Sequence, residues 1–158
     1  MSRWFYLNMA LLCLAVWNVA ASSSFPALRL TVLFGFLGLL FVLFNWTRHA
    51  VFSTIRNSRE RRRKIRFANL SKRVLPYHRW TGTMALLLIL THAGFVLVRY
   101  GFYWQNGKMA TGVLAAIVLA AVVVTGWMRL YRPSGRKRKI HLFLGMSLFF
   151  LIAAHLLF

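Results

Sequence analysis

Apolar residues along the chain gather into five runs, separated by polar or strongly basic stretches. The runs cover roughly residues 4–21, 27–46, 76–98, 110–131 and 141–158. A helix needs about 20 mostly apolar residues to cross a bilayer core. Each run is near that length, the last only just. The pattern predicts an all-α integral membrane protein, with about five transmembrane helices forming one bundle over residues 1–158. The only long connection is the one from about 47 to 75. Mean hydropathy of +0.61 lies far outside the range of soluble domains, and no separate soluble domain fits.

Residues 1–21 fit two readings. Arg3, an apolar stretch and the small residues Val19-Ala20-Ala21 resemble a cleaved signal peptide. Trp4, Phe5, Tyr6 and Trp17 instead resemble the aromatic belts at the two ends of a retained span. The other four helices keep their topology under either reading.

Charge orients the spans. The chain has 21 Lys and Arg against a single acid, Glu60. Eighteen of those cations are Arg3 or lie within 47–79 and 129–140, which all fall on one side of the expected topology. Arg29, Arg99 and Lys108 fall on the other side. Excess Lys and Arg marks the cytoplasmic face. The N-terminus and both basic loops are therefore expected inside, with the chain in a plasma (inner) membrane. Basic residues beside membrane spans suit anionic lipid head groups. They lack the interleaved aromatics of a nucleic-acid stacking platform, so nucleic acid is not an expected partner.

Two apolar segments then read almost as copies. One runs from His78 to His92 and the other from His141 to His155, fourteen residues each way. Both have an aromatic residue two positions after the first histidine, Trp80 and Phe143, and a glycine after four, Gly82 and Gly145. Both have Leu-Ile at ten and eleven. Fourteen residues are nearly four helical turns, so each pair shares one face with an axial separation of about 21 Å. That is too far for two ligands of one metal and suits one ligand for each of two. The expected topology makes the two histidine helices parallel. His78 then faces His141 near the cytoplasm, and His92 faces His155 near the other surface. Two neutral imidazoles facing across a bundle can bind a b-type haem from both sides.

Other residues fall into place around the four histidines. Gly82 and Gly145 leave room for a flat macrocycle, or permit close helix packing. Arg73 and Arg79 inside, and Arg99 outside, are candidate partners for haem propionates, or ordinary topological charge. His49 has no partner at fourteen residues and reads as interfacial. The lone cysteine, Cys13, excludes an internal disulfide, and without a Cys-x-x-Cys-His motif the haems would be non-covalent.

On these residues, residues 30–158 resemble the ferric-reductase-like transmembrane domain. That family is shared by ferric reductases, NADPH oxidases and the haem-binding membrane partner of bacterial methionine sulfoxide reductase. It carries two histidines about fourteen residues apart on each of two helices separated by one span; here these are His78, His92, His141 and His155. The resemblance implies a di-haem cytochrome that carries electrons across the membrane to an extracytoplasmic acceptor. The chain has no Gly-rich dinucleotide motif. The expected donor is therefore a separate cytoplasmic flavoprotein reductase, or another subunit of a membrane complex.

Electrons suit the composition better than protons, because no span contains Asp or Glu. Two other readings remain at this level. One is a membrane anchor cytochrome that exchanges electrons with quinone. The other is a cofactor-free accessory subunit whose histidines only pack.

Overall fold

The computed structural model describes residues 2–22 and 30–158. They form five helices: α1 Arg3–Ser22, α2 Leu30–Asn57, α3 Arg61–Tyr100, α4 Gly107–Tyr131 and α5 Gly135–Leu157. All five are long and apolar enough to cross a membrane, and there are no strands among the described residues. The chain is an all-α membrane helix bundle. Arg29 and the first residues of the expected second span lie outside the described residues.

Two helices outrun their apolar runs. α2 continues to Asn57, and α3 already begins at Arg61. The expected long connection is therefore a short turn, Ser58 to Glu60, between two basic helical extensions. The reason is local. Arg, Lys and Leu are strong helix formers, and this stretch contains no glycine. Proline enters only at Pro76, where it removes one hydrogen-bond donor, and the helix runs through it. The 40 residues of α3 measure about 60 Å, twice the roughly 30 Å of a hydrocarbon core, so its basic start projects beyond the apolar zone.

Sharper signals set the remaining ends. Gly101, at φ 71°, closes α3, and its N–H donates to the Leu97 carbonyl. The Asn106 side chain accepts from the Met109 N–H to start α4, and Ser134 accepts from the Lys137 N–H to start α5.

Each helix packs on its neighbours in sequence, and α5 closes back on α1. The result is a ring of five. Non-neighbouring helices keep their Cα atoms more than 8 Å apart, α3 and α5 included. One core cluster joins Leu11 and Ala15 of α1 to Leu39 and Leu43 of α2 and Phe149 of α5. A second joins Ala115 and Leu119 of α4 to Leu148 of α5. α1 is also tied in by side-chain amides: Asn8 donates to the Leu43 carbonyl at 3.3 Å, and Asn18 to the Leu156 carbonyl at 3.0 Å. Most other large apolar side chains face outward, as a lipid-facing surface requires.

Candidate functional site

α3 and α5 run parallel, with α4 returning between them. The structure brings His78 opposite His141 and His92 opposite His155. Ring centroids are 6.3 Å apart in the first pair and 6.4 Å in the second, with the planes at 83° and 84°. The first pair lies toward the basic end of the bundle, the second toward the opposite end. Because the backbones of α3 and α5 stay apart, only side chains bridge the interval.

Every one of the four rings is held by Nδ1. His78 Nδ1 bonds Asn45 Oδ1 at 2.9 Å. His92 Nδ1 donates to the Thr31 carbonyl at 2.7 Å, and His155 Nδ1 to the Lys108 carbonyl at 2.8 Å. His141 Nδ1 donates to the Val122 carbonyl at 3.1 Å, with Thr125 Oγ1 at 3.2 Å. A carbonyl oxygen can only accept, so the proton sits on Nδ1 and the Nε2 lone pair is left free. No Nε2 has a hydrogen-bond partner among the described residues. This is the tautomer in which imidazole binds a metal, with its other nitrogen oriented by an acceptor.

The spacing also suits a metal. A metal–imidazole bond is about 2.0 Å and the ring centroid lies about 1.2 Å further back, so two rings on opposite faces of one ion have centroids about 6.4 Å apart. Both pairs have that separation. Among the described residues no cluster of three or more His, Cys, Asp or Glu exists. Each pair thus offers two ligands, which fits a haem, whose porphyrin supplies the remaining four.

The helices behind the histidines are cut away to receive them. A Cβ on Gly35 of α2 would lie 2.8 Å from His92 Nδ1. On Gly112 of α4 it would lie 2.9 Å from His155 Cε1, and on Gly126 3.4 Å from His141 Cε1. These three glycines and Asn45 escaped the reading of the sequence. One signal was available: Gly112 and Gly126 are themselves fourteen residues apart, on the antiparallel neighbour of the helix bearing His141 and His155.

Gly82 and Gly145 sit one turn from His78 and His141. A Cβ on Gly82 would meet only the Asn45 amide at 3.5 Å, and on Gly145 only Trp46 at 3.9 Å. Arg73 and Arg99 are exposed, Arg73 on the basic extension of α3 and Arg99 at its far end beside the Tyr100 ring. Arg79 lies over the Trp127 ring at 5.9 Å. His49 belongs to neither pair and packs between Trp46 at 5.1 Å and Trp4 at 5.0 Å.

Comparison with models of protein families, with curated proteins and with solved structures found no match.

Proposed function

We propose that the protein is a di-haem b-type cytochrome that carries electrons across the membrane. One haem would be held by His78 and His141, the other by His92 and His155. The observation that carries this reading is the pair of facing imidazoles, found twice, at the separation of one intervening metal. A packing role would leave the histidines satisfied within the protein. Instead, all four direct Nδ1 to an acceptor and keep Nε2 unpaired.

The haem iron supplies reversible one-electron chemistry when bound. The chain's residues hold and tune it. Asn45, Thr125 and the carbonyls of Thr31, Val122 and Lys108 orient the imidazoles and raise their basicity. Surrounding apolar side chains keep water away and lower the local dielectric. No Asp or Glu lies in the apolar spans, so no carboxylate relay accompanies the electron with a proton.

The concentration of positive charge at the His78–His141 end supports a cytoplasmic position for that end. The electron then enters from a cytoplasmic flavoprotein and leaves to an extracytoplasmic acceptor, as in the ferric-reductase-like family. Vesicles that contain the purified protein and enclose ferricyanide test this. Given reduced flavoprotein outside, they should reduce the trapped ferricyanide at a rate set by their protein content. A rate equal to that of protein-free vesicles would exclude transmembrane conduction.

A further inference from the structure

Two cations lie within the bundle near His78 and His141. Arg48 is on α2, one turn beyond Asn45, which binds the His78 ring. Arg129 is on α4, one turn beyond Thr125, which touches the His141 ring. α2 and α4 run the same way, so both steps lead toward the basic end. Each guanidinium is close enough for its charge to act on both histidine rings, and the charge of Arg129 acts on Arg48.

Among the described residues neither arginine has a counter-ion. Arg48 rests against the Phe52 ring at 5.6 Å, and its Nε is buried with no hydrogen-bond partner. The only acid in the chain, Glu60, is engaged by Arg63 at 3.5 Å in the turn between α2 and α3. Two like charges held together in an apolar bundle are costly without an anion. This chain has no spare carboxylate to supply one.

Resting on the haem reading above, we infer that Arg48 and Arg129 form a clamp for the two propionate carboxylates of the haem bound by His78 and His141. The pair approaches from two helices, α2 and α4, whose Cα atoms stay more than 8 Å apart. Guanidinium is suited to carboxylate, because its donors match the two oxygens. The clamp would point the propionates toward the basic end and offset their charge. It would also raise the midpoint potential of this haem, because a nearby cation favours the reduced form.

The test uses full-length apoprotein from haem-deficient cells, titrated with haem and with haem dimethyl ester, in wild type, Arg48→Gln and Arg129→Gln. Binding is read by absorbance and midpoint potentials by redox titration. The His92–His155 site serves in each variant as an internal control for folding. With haem, each substitution should weaken one of the two sites roughly tenfold or more and lower its midpoint potential. With the ester, the wild type should already show the weakened site, and the substitutions should add little. An equal loss for haem and ester would overturn the clamp, because the arginines would then be structural or bind a lipid phosphate or other free anion. Variants matching wild type at both sites would also overturn it, while leaving the haem reading intact. A wild type that takes up no haem overturns both.

Discussion

The backbone of Gly35 abuts the imidazole of His92: a methyl group there would lie 2.8 Å from Nδ1 and 3.0 Å from Cε1. The ring cannot easily retreat, because the same nitrogen is bonded to the Thr31 carbonyl one turn away on α2. Gly112 stands in the same relation to His155 and the Lys108 carbonyl. Gly35→Ala and Gly112→Ala should each tilt a ligand and reduce haem retention at the His92–His155 site by about 10–100-fold. Gly94→Ala, whose new methyl meets nothing within 4 Å, should leave it unchanged. Haem content and spectrum of the three purified variants check this.

Asn45 binds both His78 and the Thr81 hydroxyl, at 2.9 and 2.7 Å. Asn45→Leu keeps the approximate volume and removes the acceptor. Affinity at the His78–His141 site should fall by about 10–100-fold, as when an orienting partner of a metal ligand is lost. The His92–His155 site should be unaffected. Competition with apomyoglobin, which strips weakly held haem, measures the two sites separately.

Arg59 is exposed in the turn joining α2 to α3. Its proposed position is cytoplasmic. In a background with Cys13 replaced, Arg59→Cys should resist an impermeant maleimide in intact cells and react after permeabilisation. Labelling of intact cells would invert the topology and the direction of electron flow.

Arg61, Arg62 and Arg63 are exposed at the start of α3, on the same extension that leads to His78. If they steer an acidic flavoprotein to the basic end, neutralising all three should slow haem reduction by that donor several-fold and flatten its salt dependence. Unchanged rates and salt dependence, at normal haem content, would assign these charges to lipid and topology alone.

The facing of the histidines was legible because two independent patterns agree. Imidazoles are rare within apolar spans, and the single span between them makes α3 and α5 parallel. The length of α2 and α3 was not legible. Hydropathy reports where a helix leaves the apolar zone, not where helicity ends; 47–75 contains no glycine or proline, and its only break is the short turn from Ser58 to Glu60. The ring-orienting set was hidden for another reason. Thr31, Val122 and Lys108 act through backbone carbonyls, which any residue possesses, and the value of Gly35 depends on which helix lies behind it. Arg48 was hidden among many cations; only its orphaned, buried Nε distinguishes it.

Haem stoichiometry of the purified protein tests the central claim most directly. Pyridine haemochrome analysis should give two b-type haems per chain in the wild type. It should give one in His92→Ala or His155→Ala, and one in His78→Ala or His141→Ala. The oxidised protein should be low-spin throughout, as two imidazole ligands per iron require. Absence of haem from fully loaded protein, or a single haem that survives all four substitutions, would contradict the account.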